Sequence, residues 1–162
     1  MKRSIYFLRH AKSSWETGVE DLKRPLNARG NRDAQLLANF AIQGLKRPDY
    51  LVVSIAKRTR ETAQYFIEAF NVSSDCVAYE SSVYDFSGES VLRFIKTLDP
   101  SHKIIMIVGH NHAFTALVNM LGDKPIEHVP TCGLCVIDFK CDHWQNIARG
   151  TTRETIFPRD LK

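Results

Sequence analysis

No apolar run in this chain approaches the ~20 residues that a membrane-spanning helix needs. Arg9 cuts off the first one, Ile5-Tyr6-Phe7-Leu8, too early for a secretory leader, so a cytoplasmic protein is expected. Glycine and proline are sparse, at eight and six of 162 residues. With no low-complexity tract, internal repeat or interdomain linker, a disordered or solenoid chain is excluded. Only four cysteines occur, and Cys132 and Cys135 form a single C-x-x-C with no second pair to complete a zinc site. Residues three apart on a strand face opposite ways, and Cys132–Phe139 reads as strand-forming, so the cysteines are taken as structural thiols. The basic residues are not interleaved with aromatics. The net charge of +4 therefore favours anionic partners mildly, without marking a nucleic-acid surface.

What is present is an ordinary globular composition, 44% hydrophobic and 25% charged, of a length that suits one domain over residues 1–162. Short apolar, β-branched runs predict strands near Ser4–Leu8, Tyr50–Ser54, Cys76–Tyr79, Lys103–Val108 and Leu134–Phe139, with a sixth near Thr155–Phe157. Helical spacing predicts a first helix capped by Asn27 that runs to about Gln43, and a second from Lys57 to Phe70. A third is expected from a Ser87 cap through Leu98, and a fourth from an Asn111 cap to Met120-Leu121. Alternation of this kind predicts an α/β fold: three layers, α/β/α, around a doubly wound, mostly parallel sheet.

Three strand-to-helix junctions carry the residues of interest. The first run ends in Arg9-His10, the second leads into Lys57-Arg58-Thr59-Arg60, and the fourth into Gly109-His110-Asn111-His112. Parallel strands bring such ends to one edge of the sheet, where ligands bind in open α/β folds. Arginine suits a phosphoryl group because its planar fork donates two charge-assisted hydrogen bonds and stays protonated. An imidazole facing phosphorus can attack it and form a phosphohistidine. A second imidazole, protonated, would stabilise the equatorial oxygens. Between the first junction and Asn27 lies a long polar loop, Lys12–Leu26, read either as a substrate lid or as a solvated surface loop.

Leu8-Arg9-His10-Ala11-Lys12-Ser13, Ser54-x-x-x-Arg58-x-x-x-Thr62-Ala63 and Val108-Gly109-His110-Asn111 together resemble the histidine phosphatase superfamily. The loop Asp21-x-x-Arg24-Pro25-Leu26-Asn27-x-x-Gly30 and the Thr131-Cys132-Gly133 lead into a strand are similar to its small phosphohistidine-phosphatase branch, typified by SixA. The resemblance implies a phosphoglycerate mutase-like fold with His10 as the phosphorylated nucleophile. Arg9, Arg58 and His110 would form the phosphate pocket, with Arg24 and Asn111 as further substrate contacts and no metal or other cofactor. Two positions depart from the pattern. Ala11 stands where glycine is usual, and His112, at the pocket rim, where proline is frequent. For the proton donor, Glu80 and Asp85 are the candidates by position. An imidazole leaving group would ask little of either.

The function expected is a phosphatase that works through a covalent phosphohistidine, acting on protein phosphohistidine. The alternatives are a small-molecule phosphomonoesterase and a non-catalytic phosphate-recognition module. A phosphorylated protein or a small phosphoester is the expected partner, with no nucleic acid and no membrane, and the chain is expected to be a monomer or a weak homo-oligomer. A metal site built from His10, His110 and His112 is disfavoured, because no carboxylate ligand accompanies them and the arginines would repel a dication. His102, His128 and His143 have no partner at a telling spacing and are read as structural or exposed.

Overall fold

The computed structural model describes residues 2–16 and 18–162. Six strands form one sheet: β1 (Lys2–Arg9), β2 (Tyr50–Ser54), β3 (Val77–Glu80), β4 (Ile104–Gly109), β5 (Leu134–Lys140) and β6 (Thr151–Ile156), in the order β3-β2-β4-β1-β5-β6. The first four run parallel, β5 lies antiparallel to β1, and β6 antiparallel to β5. Alternate residues of each central strand face opposite layers. Ile5, Phe7, Val52, Ile105 and Ile107 pack under α3 (Glu89–Ile95) and α4 (Ala113–Leu121). Tyr6, Leu8, Leu51, Val53, Met106 and Val108 pack under α1 (Ala28–Gly44) and α2 (Lys57–Phe70). Burial on both faces explains why these strands read as unbroken apolar runs. Each fully buried Ile, Leu or Phe contributes about 1.5–3 kcal/mol.

The predicted helices and strands are present, with shifted ends. Asn27 caps α1, its Oδ1 accepting from the Gly30 N–H at 2.8 Å. The third helix stops at Ile95, short of the expected Leu98, because its last turn tightens to bonds such as Leu98 N–H to Ile95 carbonyl, 3.1 Å. The sixth strand starts at Thr151, earlier than its apolar end suggests. As an edge strand with one partner it keeps a polar, largely exposed sequence. Cys132 sits in the turn before β5 and faces the α1/α2 layer, while Cys135 faces the α3/α4 layer. Both are buried free thiols, and burial pushes Cys135 up to about 12.

The topology fixes the position of the site. The chain leaves β1 toward β2 on one side and leaves β4 toward β5 on the other, so the adjacent carboxyl ends of β1 and β4 form the switch point of the sheet. Arg9 and Gly109 are register partners there, and the His10 N–H donates to the Gly109 carbonyl at 3.0 Å. His10 and His110 are thus the first residues past two neighbouring strands. Gly109 is required by packing, since a Cβ would lie 2.7 Å from Phe114 Cζ.

Candidate active site

His10 is buried, and its Nδ1 lies 2.7 Å from the Ala11 carbonyl. A carbonyl can only accept, so Nδ1 carries the proton and the Nε2 lone pair is left unspent. Burial, followed by the charges of Arg58, Arg9 and Arg24, outweighs the Ala11 hydrogen bond and pushes the ring down to about 3. At neutral pH His10 is an uncharged imidazole, the form a nucleophile requires.

Arg9 and Arg58 stand around it. Arg9 Nη1 donates to the Val129 carbonyl at 2.9 Å. Arg58 grips Asp21, with Nη1 to the backbone carbonyl at 2.7 Å and Nη2 to Oδ2 at 3.0 Å. Each arginine keeps a buried Nε–H with no acceptor among the described residues. The two guanidiniums act on a neutral imidazole between them, and this concentration of positive charge suits an anion.

Sequence reasoning expected a protonated second histidine, and the free protein differs. His110 packs 5.4 Å from His10, ring centre to ring centre. Burial, then His10 and Arg58, push it down to about 2. Arg58 Nη2, 3.4 Å from His110 Nδ1, can only donate, so Nδ1 accepts and Nε2–H donates to Ser54 Oγ at 2.7 Å. His110 is therefore neutral in the free site.

Two buried threonines tie the motifs together. The Ala11 N–H donates to Thr62 Oγ1 at 3.0 Å, and that hydroxyl donates to the Arg58 carbonyl at 2.7 Å. Thr59 Oγ1 bonds the Ser54 and Ala56 carbonyls at the start of α2. Ala11 itself is buried with no room to spare, and the alanine is accommodated without a positive φ.

The loop 12–26 is a strapped arm of the site. Ser13 bridges Leu26, the Ser14 N–H bonds the Pro25 carbonyl at 2.8 Å, and the Leu26 N–H bonds Glu61 Oε1 at 2.8 Å. Gly30 lets α1 approach it, since a Cβ there would sit 2.0 Å from the Lys12 carbonyl oxygen. Thr17 lies outside the described residues. A single helical turn, Asp21–Lys23, delivers the Asp21 carboxylate, which accepts from Arg58, from Arg24 Nε at 3.2 Å and from Tyr84 Oη at 2.5 Å. Tyr84 and these arginines hold Asp21 down at about 2, against the opposing effect of burial, which ranks first among its influences. Arg24 is buried, donates to Ser13 Oγ at 2.7 Å, and lies 3.6 Å under the exposed Trp15 ring. Phe86, exposed on the other side, packs 5.0 Å from the His110 ring.

The remaining candidates are placed elsewhere or otherwise engaged. The N-cap of α4 is His112, one residue later than expected, and Asn111 Oδ1 reaches past it to accept from the Thr115 N–H and Oγ1, at 2.9 and 2.8 Å, so only Nδ2 is left to meet other groups. Asp85 is not free to act as an acid. Its oxygens accept from the N–H groups of Ser87, Gly88, Ser90 and Val91, so it, more than Ser87, caps α3, and these bonds lower its pKa against burial, the first-ranked influence. Glu80 ends β3, three strands from β1, roughly 14 Å away at one strand spacing per step. Asp21 and Tyr84 were missed as site residues. Asp21 stood in the loop motif, but nothing in its spacing announced a contact with Arg58. Among the described residues no group of three or more His, Cys, Asp or Glu is placed to hold a metal ion, and no helix is long and apolar enough to cross a membrane.

A profile of the histidine phosphatase superfamily (branch 1) matches residues 5–78. An uncharacterised chloroplastic protein of Arabidopsis thaliana is 30% identical over 155 residues, covering 90% of this chain and 70% of that protein. The chain belongs to the histidine phosphatase superfamily. A candidate phosphohistidine phosphatase SixA from Agrobacterium tumefaciens superimposes with a TM-score of 0.81 at 30% identity, over 95% of this chain and 97% of that one. A protein histidine phosphatase SixA solved with tungstate superimposes at 0.83 over 98% and 99% of the two chains, at 18% identity, and so shares the fold. Within its superfamily the chain is SixA-like, and its three-layer sheet is the one these phosphatases share.

Proposed function

We propose that this protein is a phosphohydrolase that passes the phosphoryl group through His10 and acts on phosphohistidine carried by a protein. The observation that carries the reading is the His10 ring, its proton fixed on Nδ1 by the Ala11 carbonyl and its Nε2 lone pair left unspent within the field of Arg58, Arg9 and Arg24. The phosphoryl oxygens bind against these guanidiniums. Nε2 attacks phosphorus, the bond to the leaving group breaks, and Arg9 and Arg58 hold the charge spread over the equatorial oxygens. Water then attacks the phosphorus of the phosphohistidine and frees His10. Binding the dianion also reverses the electrostatics around His110. Burial and His10 still hold it down, but the part of the lowering that comes from Arg58 and Arg9 is offset, which moves it toward taking a proton as the transition state forms.

A protein substrate is supported by the rim. Trp15 and Phe86 are 75% and 47% exposed, large apolar surfaces beside an otherwise ionic pocket, as suits a planar leaving group presented on another protein. The test compares turnover of a phosphohistidine-bearing protein with a panel of small phosphoesters, with EDTA present and His10→Ala as control. Faster phosphohistidine turnover, indifferent to EDTA and abolished by His10→Ala, is expected. Preference for a small ester would replace the substrate and keep the mechanism. Phosphate-ligand binding with no turnover of any substrate would make the protein a recognition module.

A further inference from the structure

His128 has a sharply defined environment that the reading above leaves unused. It lies on the segment between α4 and β5 and is exposed. Its Nε2 is 3.3 Å from Arg9 Nη1, and its Nδ1 is 3.3 Å from Asn111 Nδ2. The Asn111 amide cannot be turned round, because its oxygen is held by Thr115. Both ring nitrogens therefore face N–H donors, and a neutral imidazole can accept at only one of them. The ring is poised against a phosphate-gripping arginine in a setting that rejects a proton in the free site.

We propose that His128 is the proton carrier of the reaction, acid to the leaving group and then base to the attacking water. This rests on the phosphatase reading above. The carboxyl and phenol candidates are otherwise engaged or distant: Asp85 is bound to the α3 cap, Tyr84 donates to Asp21, and Glu80 lies at the far edge of the sheet. A bound phosphoryl dianion offsets the Arg9 charge and draws Arg9 toward itself, which favours the protonated ring that the first step uses. In the first step His10 Nε2 forms its bond to phosphorus, the bond to the leaving atom breaks, and that atom takes the proton from His128. In the second, water forms its bond to phosphorus, the phosphorus–nitrogen bond breaks, and the water proton returns to His128. Protons balance over the cycle, and inorganic phosphate leaves.

The groups facing the ring fix the sign of its pH dependence. Burial, then Arg9, then His112, whose ring is 6.5 Å away, lower its pKa in the free protein, and the neighbouring Glu127 raises it. Binding a dianion at Arg9 removes one of the lowering influences. In the complex the acid form is therefore lost at a higher pH than in the free protein.

The experiment compares wild type with His128→Gln on phenyl phosphate, a poor leaving group, and 4-nitrophenyl phosphate, a good one. Orthovanadate inhibition serves as the check that Arg9 still binds an oxyanion. Turnover of phenyl phosphate should fall about a hundredfold, that of 4-nitrophenyl phosphate by less than about threefold, with vanadate affinity kept. The alkaline fall of kcat on phenyl phosphate should vanish in the variant. Equal losses on both esters, or weakened vanadate binding, would show that His128 only positions Arg9 and would overturn the proposal. So would a wild type that takes phosphate from phosphohistidine yet leaves both esters untouched. The phosphatase reading fails separately, if no donor leaves an alkali-stable phosphoryl group on His10.

Discussion

Asp21→Asn tests the electrostatic design of the pocket with little change of shape. The carboxylate accepts from Arg58, Arg24 and Tyr84, and these bonds hold it at about 2 against an ordinary 3.8. That difference sets a ceiling of about 2.5 kcal/mol. Its side chain is 44% exposed, and solvent screening cuts the realistic contribution to about 1 kcal/mol. Because the folded pKa is depressed, this stability is fully present above 3.8 and is lost as the pH falls through about 2. Urea unfolding at pH 7 should show the variant less stable by about 1 kcal/mol, and at pH 3 the gap should narrow to roughly half. Arg58 keeps its bond to the Asp21 carbonyl but loses its charged partner, so kcat/KM should drop about tenfold, the effect of one weakened charge-assisted bond. A stability gap that stayed constant from pH 7 to 3 would show that the charge of Asp21 does not hold the arginines, and the reasoning would fail.

Arg58→Ala should lower kcat/KM about a hundredfold or more by removing a transition-state donor, and wild-type kinetics would remove Arg58 from the site. His110 is buried neutral with a depressed pKa, so its contribution is intact above its unfolded value near 6.5 and is lost as the pH falls toward about 2. Between pH 6.5 and 5 that amounts to about 2 kcal/mol, and His110→Asn should lose that much less stability than wild type over this range. Parallel pH–stability curves would contradict it. Asp85→Ala should cost about 1–2 kcal/mol as a lost cap and leave kcat unchanged. A slower variant with full stability would return Asp85 to the acid's role.

The sheet was legible because β1, β2 and β4 are buried on both faces, which forces unbroken apolar runs whose ends are easy to see. The four principal side chains were legible for a related reason: Arg9, His10 and His110 interrupt such runs at one edge of the sheet, and Arg58 opens the helix after β2. Asp21 was not, because a carboxylate in a polar loop gains its meaning only when a short turn carries it to α2. His128 was not either, since α4 and the loop after it separate it from His110 and only the fold sets it against Arg9. Ser54 and Thr62 were visible as markers of spacing, while their hydroxyls bond His110 and Ala11 across elements distant in sequence. The start of β6 was hidden by its polar, edge-strand sequence.

Burial, reinforced by the charge of the pocket, explains why both histidines are neutral in the free site. Arg9, Arg24 and Arg58 bring three positive charges, and Asp21 is the one carboxylate that bonds them among the described residues, which leaves a net charge of +2. That equals the charge of a phosphoryl dianion with opposite sign. Protonating His10 and His110 as well would raise it to +4 in a buried site, and the burial and repulsion that oppose this keep the His10 lone pair available. In the proposed mechanism one arrangement of arginines thus serves to select the dianion, to help keep the nucleophile uncharged, and to ease protonation once the dianion is bound. A carboxylate acid placed directly against these arginines would be held ionised, as Asp21 is, and could not deliver a proton near neutral pH. An imidazole beside Arg9 meets the opposite condition: it is discharged when the pocket is free and able to charge when phosphate neutralises its neighbour.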